Sequence, residues 1–591
     1  MKLQLQLMRY IREKQPGTLL MGFILSLLKV MQAVLGLYLT KLVISLVIRK
    51  VALSYMIQSL LIYSVVLLII SISIHFVNQK YWLDGQLIRI RTFPELTNTL
   101  LSFDFQLFED DKVLSLREQA FMCSNNDDAL FGVYNRHWAT FLTTVFQVFI
   151  YGGLLILLDQ VIISLLLVMI FVLAIYRKYQ NNYILKTKPE IDRVGEQLSF
   201  MERISGRFSV AKDMRLYGVS NWFNDIQDEL LMKRQKIHGK RLKVMMVGNL
   251  ISASFSIFLG ALGYYILINQ VINQTLSIDE FVFLFAAISQ LTGLSSQIVN
   301  DLANLRKDGK EFEIYRQYLD YPQIFNHQTR LALPEEDLEI TFENVSFTYP
   351  NAKSAVFENL NLTIHKNEKC ALVGLNGSGK TTLVKLLVGL YKPDSGRILI
   401  NGIDNQKYNI KDYYTLFSAV FQDTHIWPYP IRDLIIQGLP FDETRYRQVL
   451  ELSGVDQIIE KAPKGDQTLI ASVVDEEAIA LSGGQMQKLK LAQALYKDGR
   501  MLILDEPTAA LDPLAENEVY QNYFTLAKDK TSLFITHRLA STQFCDRILY
   551  LEDGLIKEDG THQELMQLKG SYYEMYDKQS YYYRQEGGYH A

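Results

Sequence analysis

Six stretches of this chain, near residues 17–47, 52–77, 138–158, 160–176, 244–268 and 280–299, are apolar enough and long enough to cross a lipid bilayer as helices. That pattern limits the first half to an all-α polytopic membrane domain with six transmembrane helices. Little more than Asp159 separates the third stretch from the fourth, and a short polar piece around Asn273 separates the fifth from the sixth. Both junctions read as tight hairpins on one side of the membrane.

The segments 78–137 and 177–243 are long, charged and helical in their apolar spacing, so the membrane helices are expected to have long cytoplasmic extensions. The second segment carries fifteen Lys and Arg, whereas the opposite side shows little beyond Arg49 and Lys50. Positive charge favours the cytoplasm, which places both loops, both termini and everything after the sixth span there. The opening MKLQLQLMRYIREKQP is polar and basic without a small-residue cleavage site, unlike a secretory signal.

Within the spans, Lys29 costs roughly 3 kcal/mol, offset by a dozen apolar neighbours worth about 0.3–0.6 kcal/mol each. It is a candidate substrate or ion contact, weighed against snorkelling or pairing inside the bundle. For His75, Gln147 and Asn249 a hydrogen bond between helices is the preferred reading.

A chain of 591 residues, 49% hydrophobic and 21% charged, is too long for one ordinary domain and too apolar to be disordered. Its net charge of −3 gives no argument for a nucleic-acid partner, and its nine histidines show no metal-ligand spacing. Cys123, Cys370 and Cys545 are scattered and odd in number, so they read as small buried hydrophobes.

After a charged connector the pattern changes to short β runs alternating with helical stretches, an α/β domain. The expected boundaries are 1–305 for the membrane domain, 306–336 for a linker, 337–580 for the α/β domain and 581–591 for a Tyr-rich polar tail that frays. Gly374–Thr381 reads GLNGSGKT, the phosphate-cradle pattern GxxxxGK[ST], preceded by the apolar strand 370–373 and followed by a helical stretch. LSGGQ follows at Leu481–Gln485 and LILDEPTAALD at Leu502–Asp512.

With these three strings the chain resembles an ABC transporter half-molecule of the exporter type, an α/β P-loop ABC nucleotide-binding domain fused behind six membrane helices. The resemblance implies ATP and Mg²⁺. It assigns Lys380 to the β and γ phosphates, and Thr381, Asp505 and Gln422 to the metal. Glu506 becomes the general base, Gln422 a sensor of metal and water, and His537, emerging where the strand 532–536 ends, a switch contacting the γ-phosphate. Tyr349 in FTYP resembles the aromatic that stacks on adenine. The nucleotide is further surrounded by Gly374, Asn376, Gly377, Ser378, Gly379, Thr382 and Asp512.

Ser482, Gly483, Gly484 and Gln485 open a helix and form an anion site. In the family that site closes on ATP held by a second nucleotide domain, so the resemblance implies a second copy of the chain, a homodimer being favoured and a heterodimer possible. Phe108–Leu116 and Arg215–Phe223 look like coupling helices that dock on the ATP domains. VVDEEAIA before LSGGQ, with Met486, Lys488 and Gln493 after it, departs from the usual Gly/Glu segment and arginines. That departure bears on cross-talk between domains and leaves hydrolysis untouched.

The FEDD, KDMRLYGVSNW, LDPLAE and THRLAS segments resemble bacterial exporters of ribosomally made peptides such as lanthipeptides. A peptide or small amphipathic substrate and a bacterial cell membrane are therefore expected. A lipid or multidrug exporter, an importer on the same fold and an ATP-gated channel or regulator are the alternatives. With no cysteine-peptidase domain ahead of the first span, leader removal is expected to fall to another enzyme.

Overall fold

The computed structural model describes residues 2–586 except 157–159, 207, 329–330, 351, 423–425, 471–477, 506–529 and 538. The chain divides into two units: Met1–Leu101 with Ser115–Asp320, and Ser102–Leu114 with Tyr321–Ala591.

The first unit is helical among its described residues. Its helices are α1 (Lys2–Lys14), α2 (Thr18–Ile48), α3 (Leu53–Ser102), α4 (Asp111–Met122), α5 (Leu130–Ile156), α6 (Gln160–Ser205), α7 (Phe208–Leu216), α8 (Ser220–Ile272) and α9 (Ile278–Leu319), of which α3 and α4 overlap the segment assigned to the second unit. The six expected spans fall on α2, α3, α5, α6, α8 and α9. By length and composition, α2, α3, α8 and α9 qualify as membrane-crossing among the described residues, and the α5–α6 hairpin around Asp159 lies outside them.

At 1.5 Å per residue the 50 residues of α3 extend about 75 Å, more than twice a hydrocarbon core, so the helix must continue beyond lipid. Its most apolar window is only 6% buried, with Leu61, Ile62, Val65, Leu68, Ile69 and Ile72 all exposed. An apolar face of that extent suits lipid. Between α8 and α9, Ser277 and Glu280 form a reciprocal capping box that ends the hairpin and starts α9.

Away from the apolar stretches the unit is held by aromatic packing around a partly buried carboxylate, Glu95. Tyr10, Phe131, Phe312 and Tyr315 contact one another ring to ring. The Tyr10 and Tyr315 hydroxyls both donate to Glu95 Oε2, at 2.6 and 2.8 Å, and Lys14 pairs with the other oxygen. Burial pushes the Tyr10 hydroxyl up to about 12.

The second unit contains two sheets. The smaller is antiparallel in the order β2 (Phe357–Ile364), β1 (Ile340–Phe347), β4 (Ser395–Ile400), β5 (Ile403–Asp404). The larger has the order β10 (Leu555–Gly560), β9 (Arg547–Glu552), β3 (Lys369–Val373), β8 (Thr531–Ile535), β7 (Met501–Asp505), β6 (Phe417–Val420). It is parallel except for the edge strand β10. Strands β7 and β8 are buried at every position, as strands of a sheet covered on both faces are, with Met501–Leu504 and Leu533–Ile535 supplying their apolar runs.

The helices of this unit are α10 (Lys380–Leu387), α11 (Ile410–Tyr413), α12 (Ile431–Ile436), α13 (Glu443–Ser453), α14 (Asp456–Lys461), α15 (Gly483–Lys497), α16 (His562–Leu568) and α17 (Ser571–Glu586). The helix α17, whose first turns are anchored by the fully buried Tyr572, continues through Glu586 into the tail expected to fray, and residues 587–591 of that tail lie outside the described residues.

Candidate functional site

Strand register gathers the expected site residues on one edge. Leu372 pairs with Ile535, Ile535 with Asp505, and Leu504 with Val420. Because these strands are parallel, their carboxyl ends deliver Gly374, His537, Asp505 and Gln422 side by side, where open α/β sheets bind ligands.

The loop from β3 into α10 is shaped by its glycines. A Cβ on Gly374 would stand 2.1 Å from the Leu551 carbonyl oxygen, so only glycine fits. Gly377 has φ +83°, and the space beside it is open. Lys380 is buried, its ammonium donating to the carbonyls of Gly374 at 2.9 Å and Leu375 at 3.0 Å, which holds the cationic side chain under the loop. The buried Ser378 Oγ has no hydrogen-bond partner among the described residues. An orphaned hydroxyl in a cationic, glycine-lined loop at a helix start fits a phosphate group. Thr381 donates to Asp505 Oδ2 at 3.3 Å, uniting the two oxygen donors expected at the metal. A hydroxyl and a carboxylate suit Mg²⁺, a hard cation. Gln422 is exposed just past β6, whereas Glu506 and Asp512 lie outside the described residues.

Tyr349 donates to, or accepts from, Thr382 Oγ1 at 2.9 Å, while its ring meets Phe347 and Tyr391 edge-on at 5.1 and 5.3 Å. That fixes the ring beside the phosphate loop. His537 is partly buried, and burial together with the Lys380 charge lowers its pKa below the usual histidine value. The ring is therefore neutral near pH 7, able to donate one hydrogen bond and accept another.

Ser482 and Gln485 cap α15 reciprocally: Ser482 Oγ accepts the Gln485 N–H at 3.3 Å and Gln485 Oε1 accepts the Ser482 N–H at 2.9 Å. Ser482 and Gly483 are exposed. The Ser482 hydroxyl, which donates to no acceptor among the described residues, lies exposed at a positive helix end.

The first of the two expected coupling segments, Phe108–Leu116, covers the end of one turn and the start of α4. A 3-10 turn, Phe105–Glu109, precedes α4, and Ser102–Leu114 belongs to the nucleotide-domain unit. Phe105 packs edge-on against Tyr391 at 5.6 Å, and the Lys385 ammonium lies 5.8 Å from the Phe105 and Tyr349 ring centres. Gln106 Oε1 accepts the Lys392 N–H. Asp104, 2% exposed, accepts the N–H groups of Ile324 at 2.6 Å and Phe325 at 2.9 Å, and its other oxygen lies 2.8 Å from His327 Nε2. Sequence reasoning missed Asp104, Lys385 and Tyr391. The signal available was an acid flanked by aromatics in SFDFQLFED, just ahead of the expected helix.

The second segment spans the end of α7 and the start of α8, and Leu216, Tyr217 and Trp222 are 78%, 78% and 64% exposed. They are not buried within their own loop. Lys29 is half-buried on the face of α2 that carries Gly22, Leu25 and Ser26. The hydrogen bonds expected of His75, Gln147 and Asn249 are absent among the described residues, since His75 and Asn249 occupy exposed faces. Gln32 with Ser71, and Thr144 with Asp301, join helices instead.

A family model described as ABC transporter matches residues 357–509, spanning the phosphate loop, LSGGQ and Asp505. The subtilin transport ATP-binding protein SpaT of Bacillus subtilis is 30% identical over 63% of this chain and 61% of its own length. An ATP-dependent lipid A-core flippase of Methylobacillus flagellatus is 33% identical over 51% of this chain and 50% of its own. The chain thus spans between half and two thirds of these curated relatives. A solved bacterial Atm1-family ABC exporter with ATP bound shares the fold, with a TM-score of 0.79 over 95% of this chain and 97% of that one at 19% identity. Residues 357–509 therefore carry the ATP-binding domain of the ABC transporter family, and the chain shares the fold of a solved bacterial ABC exporter.

Proposed function

We propose that the protein is an ATP-hydrolysing transporter that exports a peptide or amphipathic small molecule across a bacterial cell membrane by alternating access. The observation that carries this reading is the convergence of Lys380, Thr381, Asp505 and His537 on one sheet edge, in a chain with a lipid-suited helical unit. Bound Mg²⁺ would offset phosphate charge and orient the terminal phosphoryl group. Lys380 binds phosphate oxygens, Thr381 and Asp505 hold the metal, Gln422 and Glu506 orient the attacking water, and Glu506 takes its proton. His537 holds the γ-phosphate through a hydrogen bond.

The outward-facing Ser482 and Gly483 support a dimer in which each signature helix completes the partner's site. The exposed Leu216, Tyr217 and Trp222 need a hydrophobic host. In a dimer that host would come from a second copy of the chain, on which Tyr414, Phe417 and Phe421 line a groove together with Gln437, Lys490 and Gln493. Closure of two nucleotide domains would then move the membrane helices through these contacts.

SpaT is named for subtilin transport, which favours a peptide cargo, and the lipid A-core flippase supports lipid as the second reading. The test is ATP-driven movement in sealed proteoliposomes, with a peptide and a fluorescent lipid assayed in parallel. Uphill accumulation of the peptide, abolished by Glu506→Gln while ATP binding persists, is the expected result. Lipid movement alone would select the second reading, and passive equilibration of either would overturn active export.

A further inference from the structure

Tyr572, Tyr576 and Gln579 stand at i, i+4 and i+7 on α17 and so share one helix face. Each meets the segment that follows β8. The Tyr572 hydroxyl lies 2.7 Å from Thr542 Oγ1, Gln543 donates to the Tyr576 hydroxyl, and Thr542 donates to the Leu539 carbonyl at 2.7 Å. With that proton committed, Tyr572 donates to Thr542, and His562 Nδ1, 2.8 Å from the Tyr572 oxygen, must carry the hydrogen that completes the relay. The third residue reaches the switch itself. Gln579 Nε2 donates to the His537 carbonyl at 2.6 Å, and Gln579 Oε1 accepts the Leu539 N–H at 3.1 Å. One side-chain amide therefore clamps the backbone on both sides of residue 538.

We propose that Gln579 is a positioning residue for the ATPase: its amide fixes the backbone at His537 and so aims the imidazole at the γ-phosphate. The inference rests on the reading of His537 as the γ-phosphate contact. It deepens that reading by placing control of the switch in the C-terminal helix. A side chain held only by its own strand end is free to turn with ψ of its residue. Two hydrogen bonds from a helix anchored by the buried Tyr572 remove that freedom, and the gain is felt only when a γ-phosphate must be met at a fixed point. Binding of ADP, which lacks that group, is indifferent to the clamp.

The test is a double-mutant cycle on the full-length protein in detergent or nanodiscs, using Gln579→Met, which keeps length and volume without the amide, and His537→Ala. Loss of two hydrogen bonds of ordinary strength is worth about tenfold in kcat. Gln579→Met is expected to lower kcat about tenfold, with KM for MgATP and MgADP affinity close to wild type and a fall in apparent melting temperature too small to account for the lost rate. On the His537→Ala background the same substitution should change the residual rate by less than about twofold, because the clamp acts through a ring no longer present. Gln579→Glu, which retains the acceptor but sets a carboxylate oxygen against the His537 carbonyl, should be at least as slow as Gln579→Met. Tyr576→Phe, which loosens the helix without touching residues 537–539, should stay within about twofold of wild type.

Full turnover by Gln579→Met, or an equal loss on both backgrounds, overturns the proposal while leaving His537 in its role. Full turnover by His537→Ala overturns the reading of His537, and with it the clamp's function. A fall in melting temperature that accounts for the lost rate assigns Gln579 to fold stability and also overturns the proposal.

Discussion

The hydroxyl of Thr381 reaches across 3.3 Å to a carboxylate oxygen of Asp505, 124 residues further along the chain. Nothing local unites them. The second residue of the helix after a glycine loop and the last residue of a buried strand become neighbours because β3 and β7 flank β8 in a parallel sheet. Their juxtaposition makes a direct prediction about the metal. Asp505→Asn should lower Mg²⁺-dependent hydrolysis on the order of a hundredfold or more, since one anionic ligand is lost where phosphate charge must be offset. ATP binding measured without metal should change little. Equal loss of metal-free nucleotide binding would contradict a role at Mg²⁺.

Asp104 joins the segment before α4 to residues 324–327 through its two carboxylate oxygens. Asp104→Ala should leave two backbone N–H groups unpaired, costing about 1–3 kcal/mol each where they are buried. Asp104→Asn, which keeps one acceptor oxygen, should cost less. The check is the apparent melting temperature of the nucleotide-domain transition, and an unchanged value in Asp104→Ala would refute the clamp.

Phe105 meets Tyr391 and Lys385, which in turn flank Tyr349. Such ring contacts are worth about 0.5–1.5 kcal/mol. Phe105→Ala is therefore expected to keep basal ATP hydrolysis within about threefold while reducing transport per ATP by more than that. Parallel assays of hydrolysis and vesicle transport decide it: a proportional fall in both would assign Phe105 to the hydrolytic site and not to coupling.

The His537 pKa carries a sign. Burial first, and the Lys380 charge second, hold it below 6.5, so just under that value the native protein binds fewer protons than the unfolded chain. The contribution of this residue to stability is complete above about 6.5 and is lost as pH falls through the folded-state value. The difference in apparent melting temperature between wild type and His537→Ala should accordingly shift against wild type between about pH 8 and about pH 5.5. A constant difference across that range would show that His537 is not depressed.

The sequence by itself determined the chemistry and its order: apolar runs that must be helical in lipid, a glycine loop at a strand end, an LSGGQ helix start and the acid closing LILD. Each depends on neighbours within a few residues, where glycine geometry, capping and hydrophobic length act. The tertiary structure alone decided which of these meet. It joined Thr381 to Asp505 through strand order, set the turn at Phe105 against Tyr391 and Lys385, and brought Gln579 of the last helix onto the His537 carbonyl. It also left His75 and Asn249 on exposed faces, because a polar residue in an apolar run does not reveal which way its helix is rotated. Local periodicity specifies elements and caps, whereas register, rotation and partnership arise from packing between residues hundreds of positions apart.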